Sequence, residues 1–126
     1  MAIVYSNTVK DNRMTQVINA IDGGASPGYI EICTAAYASV LAQVTLNDPC
    51  GTTTNGVLTF DVSPVPEDAS ANNTGTAAIA RIKDSAGTVV CDGLTVGTGS
   101  ENIVLNTTTI NAGDIVQITS ATITHG

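Results

Sequence analysis

The segment VLTFDVS, residues 57–63, alternates apolar and polar side chains without a break. Leu58, Phe60 and Val62 fall on one face and Thr59 and Asp61 on the other, the period-two signature of a strand with one buried face. The alternation returns in YIEIC (29–33), with Ile30 and Ile32 flanking Glu31, and in LAQVTL (41–46), with Ala42, Val44 and Leu46 against Gln43 and Thr45. AAIARIK (77–83) predicts Ala78, Ala80 and Ile82 inward and Arg81 and Lys83 exposed. DSAG (84–87) reads as a turn with Gly87 at a position needing positive φ, leading into TVVC (88–91) as a hairpin. Further strands are expected at 94–96 and 102–107, a turn at NAGD (111–114), and a final strand at IVQITSATIT (115–124). The inward parity of that last strand switches near Ser120, the mark of a bulge or a change of sheet.

Roughly seven or eight short strands separated by Gly, Asn, Asp and Pro turns, with no βαβ rhythm, predict a mainly β chain. The expected architecture is an antiparallel β-sandwich or barrel, of jelly-roll or immunoglobulin-like type. Nineteen threonines reinforce the preference for strands. One segment departs from this pattern. TVKDNRMTQVINAI, from about Thr8 to Ile21, sets Val9, Met14, Val17, Ile18 and Ile21 at helical spacing, with Lys10, Asn12, Arg13, Gln16 and Asn19 filling much of the other face. Ser6, Asn7 or Thr8 can cap its start, and Gly23-Gly24 supplies a stop. The chain therefore reads as one domain: an N-terminal arm and amphipathic helix (1–28) and a β-sandwich (29–126). The helix either closes one end of the β structure or serves as a docking arm or oligomerisation element. SPVPEDASANNTG (63–75) is expected to be a long exposed loop, and TAAYAS (34–39) a short helical turn.

At 126 residues the chain is long enough to bury a core without disulfides. Its four cations, Lys10, Arg13, Arg81 and Lys83, face eleven acids, a net charge of −7. That balance opposes binding to nucleic acid, whose affinity rests on Lys and Arg against phosphates, and to anionic membrane surfaces. It suits solubility or a basic partner. The opening MAIVYSNTVKDNR lacks the basic and apolar regions of a secretory signal, and no apolar run is long enough to span a bilayer, so a soluble cytoplasmic product is expected. Cys33, Cys50 and Cys91 are odd in number and lack CxxC spacing, which favours reduced thiols.

A search for chemistry finds no constellation. Cys50, in NDPCGTTTNG (47–56), would need a base, and the only histidine is His125, beside the last residue. Cys50 is instead expected in a surface connection between strands. One histidine and three scattered cysteines make no zinc pattern, and NDPCGTTTN (47–55) lacks the alternating acids and terminal Glu of a calcium loop; PEDASANN (66–73) reads as an ordinary solvated loop, with a weak calcium-wrapping loop as the alternative. Glu67 and Asp68, or Asp11 and Asp22 bracketing the helix, lack the aromatic-lined cleft a glycosidase needs, since the aromatics are only Tyr5, Tyr29, Tyr37 and Phe60. GTGS (97–100) and DGG (22–24) are not placed between a strand and a helix as a phosphate loop requires. No cofactor, metal or catalytic residue is expected, and the function is expected to lie in surfaces. Tyr5, Arg13, Gln16 and Tyr29, large or charged groups near the start of a small-residue chain, are the candidate interface residues.

Three stretches together, SNTVKDNRMTQVINAIDGGASPGYIEI, ARIKDSAGTVVCDGLTVG and NTTTINAGDIVQITSATIT, resemble small virion proteins of tailed bacteriophages. Several members of that group are capsid cement or decoration proteins with a jelly-roll-like β fold. The resemblance implies a homo-oligomer, dimer or trimer, that binds the major capsid protein on the outside of the shell, with assembly in the bacterial host cytoplasm. It carries over no catalytic residues. A tail, neck or fibre-associated protein, or a small carbohydrate-binding module, are the alternative expectations.

Overall fold

A computed structural model of the chain describes residues 5–24, 27–62 and 65–124. One helix precedes eleven strands: α1 (Asn7–Asp22), β1 (Tyr29–Cys33), β2 (Val40–Thr45), β3 (Gly51–Thr54), β4 (Val57–Phe60), β5 (Glu67–Asp68), β6 (Gly75–Thr76), β7 (Ile79–Lys83), β8 (Val89–Gly97), β9 (Ile103–Leu105), β10 (Thr109–Ile110) and β11 (Val116–Thr124). The protein is mainly β, with a sandwich-like arrangement of a single curled sheet in the order β2-β1-β7-β8-β9-β11-β4-β3. β5 pairs with β11 beside β4, and β10 and β6 form a separate two-stranded ribbon. All pairings are antiparallel except β8 with β9, so the expected purely antiparallel sheet is in fact mixed.

The inner face follows the period-two reading closely. Ile30, Ile32, Ala42, Val44, Leu46, Leu58, Phe60, Ala80 and Ile82 are all buried and belong to one apolar cluster with Ile103, Leu105, Ile110, Val116, Ile118 and Ala121. Two departures occur in β7. Ala78 lies before the strand and is exposed, and Arg81 and Lys83 are half-buried rather than exposed, because both bind Glu31. Gly87 does adopt positive φ (89°) in the β7–β8 turn. The two strands expected at 88–91 and 94–96 are one strand, β8, which continues through Gly93 at φ 75°. In β11 the register shifts between Ile118 and Ser120. Inward residues are Val116 and Ile118 before the shift and Ala121 after it, the parity change expected near Ser120. The bend lets β11 pair with β9 through Ile118–Ala121 and with β4 through Thr122–Thr124.

Segment 63–75 is not the expected loop throughout. Residues 63 and 64 lie outside the described residues; beyond them come β5 and β6, and Ala71 is buried. Its job is to cover the free edge of β2. The Asp68 carboxylate accepts from the Gln43 N–H (3.0 Å), the Asn72 N–H donates to the Leu41 carbonyl (2.7 Å), and the Asn73 amide donates to the Val40 carbonyl (2.7 Å). These bonds satisfy backbone groups that would otherwise present an open template for pairing. Residues 34–39 form the expected single turn, at Ala35–Tyr37, but with Ala36 and Tyr37 both at positive φ.

Helix α1 spans one residue more at each end than the sequence pattern requires, and the Ser6 hydroxyl caps it by accepting from the Val9 N–H (3.3 Å). Met14 and Ile21 are buried and Val17 and Ile18 are partly buried against the core, whereas Val9 is exposed. The helix lies on its own β body, chiefly against β3, with further contacts to β4 and β8. It runs back along β3. Near its start the Asp11 carboxylate accepts from the Gly56 N–H (2.7 Å) and the Thr53 hydroxyl (3.1 Å); at its end the Asp22 carboxylate accepts from the Cys50 N–H (3.1 Å). The acids that bracket the helix in sequence are thus its fastenings to the β3–β4 hairpin. No described helix is long and apolar enough to cross a membrane.

Candidate interaction surface

The β3–β4 hairpin turns through Asn55 (φ 51°) and Gly56 (φ 81°), the pair of left-handed residues that a two-residue type I′ connection demands. The pairing that results places Thr52 opposite Thr59, and β11 places Thr122 opposite Thr59 on the other side. One step along, Thr54, Val57 and Thr124 form a second row. Residues directly opposite in an antiparallel pair share a face, so five threonines and a valine make a grid on the outer side of three strands. Neighbours in the grid lie about 4.8 Å apart across strands and about 6.8 Å apart along them. The alternate residues Thr53, Leu58 and Ile123 point to the inner side, where Leu58 is fully buried. The grid is rich in hydroxyls and mostly exposed.

Next to the Thr52–Thr59 row lies a groove of about 220 Å³, lined by Pro49, Gly51, Thr52, Thr59, Phe60 and Asp61. Its volume is below the roughly 300–1,000 Å³ usual for small-molecule sites and matches one side chain better than a whole ligand. The two walls are tied together. The Asn47 amide donates to the Asp61 carbonyl (2.8 Å), and the Asp61 N–H donates to the Cys50 carbonyl (2.8 Å).

Cys50, expected in a surface connection, is instead fully buried immediately before β3. Burial, reinforced by the Asp22 carboxylate beside it, pushes its thiol up to about 12, so it stays protonated near neutrality. Cys33 is also fully buried and Cys91 half-buried; burial raises both thiols, and all three cysteines are free. His125 lies outside the described residues. Among the described residues no three His, Cys, Asp or Glu side chains gather as a metal site would need.

Among the described residues the one buried acid is Glu31, 4 % exposed, on the outer side of β1. Its register partners Arg81 and Gln43 lie on either side. Burial pulls its carboxyl upward, but hydrogen bonds from Arg81 (2.7 Å), Lys83 (3.1 Å) and Gln43 (3.2 Å) outweigh that and hold it below the usual range. The Arg81 guanidinium also stacks on the Tyr37 ring at 4.9 Å, and the Tyr37 hydroxyl accepts from the Gly93 N–H (2.7 Å). This cluster ties the Ala35–Tyr37 turn to β7 and β8. It is a structural network, and it commits half of the chain's cations.

The candidate interface residues do not form one patch. Tyr5, Arg13 and Gln16 fall on the outward side of the N-terminal helix region, where Arg13 stacks over the Tyr5 ring at 4.2 Å and Val9 is exposed between them. Tyr29 lies on β1, in register with Thr45 and Lys83 and half-buried. The threonine grid and its groove leave no mark in the hydrophobic periodicity, because GTTT (51–54) carries no apolar alternation. The signal that marks it is Asn55-Gly56, the strongest short hairpin cue, standing directly before VLTF. No family model, curated protein or solved structure matches the chain.

Proposed function

We propose that this protein is a structural component of a phage particle that binds the outside of the capsid and stabilises it as a cement or decoration protein. The observation that supports this reading best is the mostly exposed threonine grid of β3, β4 and β11, a surface suited to area contact with another protein. Its short side chains lose little conformational freedom when covered. The resemblance of three long stretches of sequence to small virion proteins supplies the partner, the major capsid protein, and a homo-oligomeric state, dimer or trimer. Repetition over a lattice supplies strength: many modest interfaces act together once the first has formed. The acidity of the chain fits a basic receiving surface. Its place is the virion.

The test is the copy number of the protein in purified particles, by quantitative mass spectrometry against the major capsid protein. A simple ratio amounting to hundreds of copies is expected. A dozen copies or fewer would move the protein to a tail or neck, and absence from the particle would overturn the virion reading.

A further inference from the structure

We propose that Asn55 is a site of spontaneous covalent modification, deamidation through a cyclic imide, and that the Asp11 carboxylate keeps it closed by holding the Gly56 N–H. Asn55 is the one asparagine in the chain that precedes a glycine. It stands exposed on the turn between β3 and β4, and asparagine is among the thermolabile residues. In the reaction the Gly56 backbone nitrogen gives up its proton and attacks the side-chain amide carbon of Asn55. The bond from that carbon to the side-chain nitrogen breaks, and the nitrogen takes up a proton and leaves as ammonia. Water then adds to either carbonyl of the five-membered imide and opens it to aspartate or isoaspartate. Water is the only co-reactant, and nothing is oxidised or reduced. Glycine matters because it places no side chain beside the attacking atom. Asp22-Gly23 and Asp92-Gly93 share the glycine, but a carboxylate is a poorer electrophile than an amide, so both lag behind.

Three features of the fold oppose the attack. The Gly56 N–H donates to the Asp11 carboxylate at 2.7 Å. That bond fixes the nitrogen and sets a negative charge where loss of the proton would create another. Asn55 and Gly56 both have positive φ, 51° and 81°. Ring closure demands rotation about the Asn55 Cα–C bond, out of the paired left-handed conformation that the turn requires. Gly56 is also buried, close against the Lys10 side chain of α1, so the turn swings only if the helix yields. Exposure and protection thus fall on adjacent residues: the electrophile faces water, and the helix holds its nucleophile. Ring opening would undo the arrangement. It adds a negative charge to a turn already bound to Asp11, and isoaspartate inserts an extra backbone atom into a two-residue connection.

The test incubates the full-length protein in mildly alkaline buffer and follows the mass and fragmentation of the peptide carrying residue 55. In urea, Asn55 is expected to deamidate before any other asparagine. In the native protein the same site should react at least about ten-fold more slowly, because attack needs local opening. Asp11→Ala should speed the native reaction roughly five-fold, the factor that one hydrogen bond is worth at a half-exposed site. Asp11→Asn, which keeps an acceptor oxygen and loses the charge, should fall between, and it decides alone if circular dichroism shows Asp11→Ala to be unfolded. Gly113→Ala, which weakens the fold at a different turn, should leave the rate near that of the parent. Another asparagine reacting first in urea, native modification as fast as in urea, no acceleration in the Asp11 variants, or equal acceleration by Gly113→Ala would overturn the inference. Slower modification in the Asp11 variants would make Asp11 the base that removes the proton, and would overturn it equally.

Discussion

Single residues in this protein are set by what surrounds their polar atoms. Asp11 illustrates it. The Gly56 N–H is the chief cause that holds its carboxyl below the usual value; burial opposes this and the Thr53 hydroxyl adds to it. A carboxylate whose folded pKa is depressed stabilises the protein at pH above its unfolded value and loses that contribution as pH falls through the folded value. The acid limb of the thermal midpoint, scanned from about pH 6 to pH 2, should accordingly be shallower in Asp11→Asn than in the parent. An unchanged slope would show that the Asp11 charge does not fasten the helix. The thiols offer a second check. With Cys33 and Cys50 fully buried and Cys91 half-buried, a thiol reagent such as DTNB should modify at most Cys91 in the native protein and all three in denaturant. Rapid native modification of Cys50 would contradict its position beneath the helix.

At the level of elements, the β3–β4 hairpin and α1 form one unit, and the helix meets the turn closely at Gly56. A Cβ there would stand 2.9 Å from the Lys10 Cβ and 3.0 Å from its Cδ, on a backbone at φ 81°. Gly113 has a similar φ of 92° with nothing near a Cβ. Gly113→Ala should therefore cost only the backbone term, about 1–2 kcal/mol. Gly56→Ala should cost more, because the helix must also move away from the turn. Urea midpoints with unchanged m-values would measure both, and equal losses would show that the helix does not press on the hairpin. This contact is illegible from sequence. Lys10 and Gly56 are 46 residues apart, and nothing in the local pattern of either announces the other.

For the whole molecule, α1 is an integral wall of the core. Ile21 is fully buried and Met14 nearly so, in the same cluster as the strands. Ile21→Ala should destabilise by about 2–5 kcal/mol. Helical and β signals in circular dichroism should shift together, as one cooperative transition. A separate early loss of helix would mean that α1 is a detachable arm, as the docking-arm alternative holds. The curled sheet reaches its shape through β11, whose register shift divides it between two sets of partners. Every wall is thereby joined to the others.

What the sequence determined by itself was the part governed by local periodicity. Alternation in 29–33, 41–46 and 57–62 identified both the strands and their buried faces, and the spacing of Met14, Val17, Ile18 and Ile21 identified the helix, since side-chain direction follows the backbone period directly. The parity break near Ser120 was visible for the same reason. Tertiary structure alone decided what the short polar segments do. GTTT (51–54) became a strand because β4 offers it a partner, and 67–73 became the cover of an edge because β2 leaves backbone groups unpaired there. It also placed Cys50 under the helix and drew Arg81 and Lys83 onto Glu31. Such segments carry little apolar signal of their own; their conformation is set by hydrogen-bond partners far away in the chain, which only the folded arrangement brings near.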